Sequence, residues 1–164
     1  MEFETERLTI RRIGIEDAGF VLAMLNDPGF RANIGDRGVR TIAEAADYVR
    51  TRILASYAEH GFGGLKLVRR SDGAAIGTAG FYRRPGLEAP DLGFALFARE
   101  TRQGYGFEAA SGLLASRPDL RPLLAIAAPH NRASAALLAK LGFVEQGLMR
   151  LPAGGGLSRL FRLA

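Results

Sequence analysis

The stretch Asp91–Gly106, DLGFALFARETRQGYG, limits the fold of this chain more than any other. Leu92 to Phe97 form an apolar run of strand length, a short basic turn follows, and Gly104 and Gly106 open a helical pattern. The first N–H groups of a helix have no intrahelical acceptor and sit at the positive end of the helix dipole. A strand that delivers a glycine turn to such a helix start is therefore an anion cradle, with phosphate its natural ligand.

The rest of the chain supplies further strands and helices around this unit. Glu6 to Ile13 alternates Leu8, Ile10 and Arg12 against Arg7, Thr9 and Arg11, the period of a strand. Glu16 and Asp17 then precede a helix with Ala18, Val21, Leu22 and Leu25 on one face, closed by Asn26, Asp27, Pro28 and Gly29. Phe30 to Thr41 has two glycines and no periodicity and reads as a loop, a candidate wall for a specificity site. Thr41 and Glu44 form a capping box, and Ile42, Ala46, Val49, Ile53 and Tyr57 carry a second helix to about Ala58. Leu65–Arg70, Ala74–Arg84 and Asp91–Ala98 read as consecutive strands, the first two joined by the hairpin signal Asp72-Gly73. Gly77 and Gly80 mark a bulge or a close backbone approach in the middle one. A helix from Tyr105 to about Ser116 stops before Pro118, and Leu123–Ala128 is the continuous apolar run of a strand buried on both faces. Asn131 to Leu141 forms a last helix with Gly142 as its C-cap, followed by a hairpin turning at Pro152–Gly156. No repeat or linker divides residues 1–164, which gives one domain in the order β α α β β β α β α β β.

Composition narrows the chemistry. With 48% hydrophobic residues, a chain of 164 buries roughly 70% of its unfolded surface, enough for a real core. No apolar run reaches membrane-spanning length and the N-terminus is charged from Glu2, so the expectation is a cytoplasmic protein without a membrane partner. The absence of Cys removes thiol nucleophiles, disulfides and thiolate metal sites, and two His cannot make a His-rich centre, so metal-free chemistry is expected. The charge is +5, carried mostly by Arg, since Lys66 and Lys140 are the lysines. Guanidinium suits anion recognition, but these arginines lack the clustering with aromatics of a specific nucleic-acid module.

Four stretches together resemble the GNAT N-acetyltransferase superfamily, and within it the Rim-type branch that acetylates ribosomal-protein N-termini. They are the opening TERLTIR (Thr5–Arg11), IGTAGFYRR (Ile76–Arg84), the glycine turn TRQGYGFEA, and HNRASAALLAKLGF (His130–Phe143). The resemblance implies an α/β fold with a mixed, largely antiparallel sheet of about seven strands and about four helices, splayed between the fourth and fifth strands. It implies acetyl-CoA as co-substrate, with no metal. The acceptor is then an amine, either a protein N-terminus or a small molecule, acetylated by direct attack in a ternary complex. The protein is expected to be a monomer or a homodimer.

Carried over residue by residue, the resemblance assigns the pyrophosphate to backbone groups of Arg102, Gln103, Gly104, Tyr105 and Gly106, where a Cβ at 104 or 106 would hold phosphate off. It assigns the pantetheine arm and acetyl oxygen to main-chain groups near Phe94 and Leu96, and a further pantetheine contact to Asn131. Ser134 becomes the proton donor to the leaving thiolate. Two positions depart from the family: Thr101 stands where relatives carry Arg or Gln, and Leu138 where many carry a Tyr acid. The structural alternative for Asn131 and Ser134 is helix capping. For the base, Glu88, Asp91 and Glu145 are all available, with Asp91 and Glu145 preferred, and His130 is a further proton shuttle. Arg31, Arg37 and Arg40 favour an anionic acceptor over a polycation. The alternative from a different class is a non-catalytic acyl-CoA or phosphate-binding module of GNAT-like fold.

Overall fold

Alternation at Leu8 and Ile10, both fully buried, sets strand β2 (Leu8–Arg12) with one face on the core. The computed structural model describes residues 2–152 and 156–164, so the Ala153–Gly155 part of the expected hairpin tip lies outside the described residues. In it β1 (Glu2–Glu4), β2, β3 (Gly64–Arg69), β4 (Ala75–Tyr82), β5 (Asp91–Leu96), β6 (Leu123–Ala127), β7 (Val144–Met149) and β8 (Ser158–Leu163) form one sheet. The strand order is β1-β2-β3-β4-β5-β6-β8-β7, antiparallel throughout except between β5 and β6. The mixed, largely antiparallel sheet is as expected, with β1 as an added edge strand. Three residues, Glu-Phe-Glu, are too short to show a period, so only the pairing with β2 reveals it.

The helices lie on both faces. A 3-10 turn (Ile15–Asp17) leads into α1 (Ala18–Leu25), followed by α2 (Pro28–Asn33). Asp27 caps α2 by accepting from the Gly29 N–H, and Pro28 occupies its first turn. Here the structure corrects the loop reading for Phe30–Asn33, while Ile34–Thr41 is irregular as expected. Asp-Pro ends α1, but a proline with its fixed φ also starts a helix, and the sequence shows only the break. α3 (Ile42–Tyr48), capped by Thr41, runs through π-helical turns (Val49–Leu54) into α4 (Ala55–His60), which ends on Gly61. α5 (Tyr105–Ser116) and α6 (Arg132–Lys140) complete the set.

Two main packed cores result, with a smaller cluster of Leu87, Ala89 and Leu124 beside β6. Ala109, Ala110 and Leu113 of α5 and Leu138 of α6 cover Leu8, Leu67, Leu92 and Leu123 on one face. Val21 and Leu25 of α1 with Ala45 and Val49 of the α3 rod cover Phe97 and Ala95 on the other. Gly80 explains itself as a close backbone approach, since a Cβ there would lie 2.2 Å from the Gly63 carbonyl. Gly77 adjoins the bulge: Leu67 pairs with Gly77 and Val68 with Ala75, so the extra residue is Ile76 on β4.

The feature that positions the site is the β5–β6 junction. The two strands pair in parallel at Asp91↔Leu124, with Leu124 N–H donating to the Pro90 carbonyl at 2.9 Å, and their ladder goes no further. β6 instead pairs along its whole length with β8. The sheet splays where the resemblance places the splay.

Candidate active site

The Phe97 N–H bonds the Ile76 carbonyl of β4 at 3.0 Å. Strand alternation then aims Asp91, Gly93 and Ala95 backbone groups at β4, and those of Leu92, Phe94 and Leu96 at β6. Beyond Asp91 no strand meets that second set, so the main chain of Phe94 and Leu96 faces an open cleft of about 1380 Å³. The cleft passes between the splayed strands and is bordered by α2, the start of α5 and the start of α6.

At one end lies the helix start. The first backbone bond of α5 runs from Glu108 N–H to the Gly104 carbonyl at 3.0 Å, so the N–H groups of Tyr105, Gly106 and Phe107 precede it, and no side chain caps them. Arg102 (φ 63) and Gly104 (φ 83) both adopt the left-handed conformation that makes successive N–H groups converge. For Arg102 this costs on the order of 1 kcal/mol, held in place by the surrounding structure. Gly104 is required by its φ. Gly106 is a matter of packing instead, because a Cβ would come to 3.0 Å from Leu137 Cδ1 of α6, which would have to give by a few tenths of an ångström. The Tyr105 ring is buried beneath Arg7, and Gln103 offers its carbonyl to Arg7 Nη1 at 2.9 Å; Arg102, Gly104, Gly106 and Phe107 border the cleft, whereas Gln103 and Tyr105 do not. Thr101 spends its hydroxyl on the Ala98 carbonyl at 2.9 Å, closing a 3-10 turn.

On the facing wall Asn131 caps α6: its Oδ1 accepts from the Ser134 N–H at 3.1 Å. Capping therefore accounts for Asn131 but not for the Ser134 hydroxyl, which has no hydrogen-bond partner among the described residues and borders the cleft. His130 Nε2 lies 2.9 Å from Asn33 Oδ1, tying this wall to α2. Lys140, with its Nζ 4.1 Å from the Phe107 ring centre, is a further cation bordering the cleft; six residues beyond Ser134 on α6 is not a same-face spacing, so the sequence pattern did not mark it.

The carboxylates are less gathered. Asp91 is fully buried at the root of the splay, its Oδ2 2.8 Å from Arg84 Nε. The N–H direction misses the oxygen, so the carboxylate is charge-paired but makes no aligned hydrogen bond. Burial pushes its pKa up to about 6, Arg84 opposing. Arg84, not Asp91, borders the cleft. Glu145 is on β7, in a two-pronged pair with Arg159 (2.8 and 2.7 Å) that lowers its pKa, and does not border the cleft. Glu88 is exposed, paired with Arg162 at 3.2 Å. Arg31 and Arg40 both bind Asp36, which among the described residues leaves Arg37 as the arginine of that segment facing the cleft without an ion pair. No group of three or more His, Cys, Asp or Glu side chains comes together among the described residues.

A family model described as an acetyltransferase (GNAT) domain matches residues 7–144. The chain belongs to the GNAT acetyltransferase family. As a GNAT protein it is an acyltransferase. It is 27% identical over 151 residues to the uncharacterized N-acetyltransferase YoaA of Bacillus subtilis, covering 90% of this chain and 85% of that one. The fold matches the acetyltransferase from Agrobacterium tumefaciens with a TM-score of 0.82 at 23% identity, over 100% of this chain and 94% of the other. It also matches RimL, a ribosomal L7/L12 α-N-protein acetyltransferase solved with coenzyme A, with a TM-score of 0.78 at 16% identity, over 99% and 97%. The GNAT splay and the uncapped α5 start thus lie in a chain whose family and fold agree.

Proposed function

We propose that this GNAT protein transfers the acetyl group of acetyl-CoA to a primary amine, on a protein N-terminus or a small molecule, within a ternary complex. The observation that carries this is the pairing of an uncapped helix start at Gly104–Phe107 with the unpaired β5 edge at Phe94 and Leu96, both on one cleft. The cradle fits a pyrophosphate: converging N–H donors, a glycine at the tightest φ and no acidic cap to compete. Acetyl-CoA supplies an activated acyl thioester. Main-chain groups of Phe94 and Leu96 hold the pantetheine arm, and an N–H there donates to the thioester oxygen as charge builds on it. Such a donor is worth on the order of 3 kcal/mol in the transition state.

The amine forms its bond to the acyl carbon as the C–S bond breaks. Ser134 Oγ, uncommitted and on the opposite wall, donates a proton to the departing sulfur. The amine's own proton goes to Asp91, which lies behind Arg84 and is reached by water only when that side chain swings out of the cleft wall. Its pKa of about 6 suits acceptance near neutrality, whereas Glu145 is held as a weaker base by Arg159. The structural kinship to RimL, with its printed activity on ribosomal L7/L12, supports an N-terminal acceptor. Arg37 supports one that carries an anionic group near the amine.

The test is free-thiol release and product mass from acetyl-CoA with a panel of N-terminal peptides and small amines. Turnover with a subset confirms the reading and names the acceptor. Tight acetyl-CoA binding without thiol release on any amine would instead favour the non-catalytic binding module.

A further inference from the structure

The lead-in to β2, Thr5-Glu6-Arg7, stays out of the cleft, yet its side chains reach the cradle helix. Glu108, in the first turn of α5, accepts from Thr5 Oγ1 (2.5 Å), from the Arg7 N–H (2.8 Å) and from Arg7 Nε (2.7 Å). The same guanidinium donates through Nη1 to the Gln103 carbonyl at 2.9 Å and lies 4.3 Å from the centre of the Tyr105 ring. At the other end of the loop, buried Glu100 accepts from Arg69 Nη1 at 2.6 Å, while Asp72 holds Arg69 through Nε and Nη2. Arg69 lies 6.0 Å from the Tyr105 ring. Gly112 lets the lead-in lie this close, since a Cβ there would meet Thr5 Cγ2 at 2.9 Å.

The two carboxylates bracket the cradle, and their charge matters. A free acidic side chain in the first turn of a helix folds back on the N-terminal N–H groups and competes with any bound anion. Here burial opposes the ionisation of Glu108, but Thr5 and Arg7 outweigh it, lower its pKa and hold it turned away from Gly104–Phe107. The structure assigns Arg7 and Glu108, 101 residues apart in sequence, the role of positioning residues that keep the Gln103–Phe107 N–H groups open for pyrophosphate. The assignment rests on the acetyl-CoA reading above.

Acetyl-CoA and S-acetyl-pantetheine share the thioester but only the first carries phosphates, so the pair separates cradle damage from fold damage. Arg7→Ala, which removes the side-chain bonds to Glu108 and to the Gln103 carbonyl, should raise KM for acetyl-CoA roughly tenfold as Glu108 is freed to compete for the cradle. The kcat at saturation and kcat/KM with S-acetyl-pantetheine should stay within about twofold of the parent enzyme. Arg7→Lys, which keeps the charge without the fork, should recover only part of the loss. Glu108→Gln, which still accepts from Thr5 and Arg7, serves if Arg7→Ala fails to fold, and should shift the acetyl-CoA KM in the same direction. Equal losses with both thioesters, or no loss with either, would overturn the assignment. If Gly104→Val also leaves the preference for acetyl-CoA intact, the pyrophosphate reading itself fails, which is a separate result.

Discussion

Ser134 and Asp91 illustrate how differently two polar side chains can be placed by one fold. Ser134 sits one turn into α6 with its N–H satisfied by Asn131 and its hydroxyl uncommitted at the cleft. Ser134→Ala should lower kcat roughly 10- to 100-fold with little change in acetyl-CoA affinity, read by steady-state kinetics and calorimetry. An unaltered kcat would leave the hydroxyl without a chemical role. Asp91 titrates at about 6 when folded and at the ordinary carboxylate value when unfolded. Because the folded pKa is the higher, this group favours folding fully below about pH 4, and that contribution is lost as pH rises through 6. The loss is about 3 kcal/mol from a shift of this size. Asp91→Asn should flatten the stability-versus-pH curve between pH 4 and 6 in urea denaturation. If Asp91 is the proton acceptor, the variant also loses the acidic limb of its kcat/KM profile near pH 6. A flattened stability curve with an unchanged rate profile would make it a structural group only.

Among the elements, the loop leading into α5 and the β5–β6 junction define the cleft together. Gly104→Val should weaken acetyl-CoA binding by tenfold or more in calorimetry, since a β-branched residue cannot hold a φ of 83 and the turn must reorganise. Unchanged affinity would place the pyrophosphate elsewhere. Gly106 has a different duty, so a substitution there acts on the packing against the Leu137 side chain rather than on the turn. The strand, glycine turn and helix of this unit were legible in the sequence because strand and helix periods switch there abruptly. The α2 helix was not, because Asp27-Pro28 ends one helix and starts the next, and a break in periodicity looks the same either way. The β1 strand was hidden for want of length.

Across the whole molecule, helices on both faces bury the sheet, and the opening between β5 and β6 is bought by pairing β6 with β8 instead. Leu113, fully buried between α5 and the sheet, ties the cradle helix to the core. Leu113→Ala should cost about 2–5 kcal/mol in urea denaturation, while acetyl-CoA KM well below the melting range stays near that of the parent enzyme. A large KM change at unchanged stability would mean that α5 moves in binding.

The amino-acid sequence by itself determined the elements with a period, the glycine turn at a helix start, and the absence of any cysteine chemistry, because these are local properties of spacing and composition. It also placed Asn131 and Ser134 together, four residues being one helical turn. Only the tertiary structure decided which carboxylate is buried and which is locked in a surface pair, since burial and ion pairing depend on partners such as Arg84 and Arg159 that are distant along the chain or across a strand pair. It alone brought Thr5 and Arg7 to Glu108, a hundred-odd residues apart, and so gave the opening motif a physical purpose. Contacts of that range are set by how the sheet closes around its helices, and no local pattern records them.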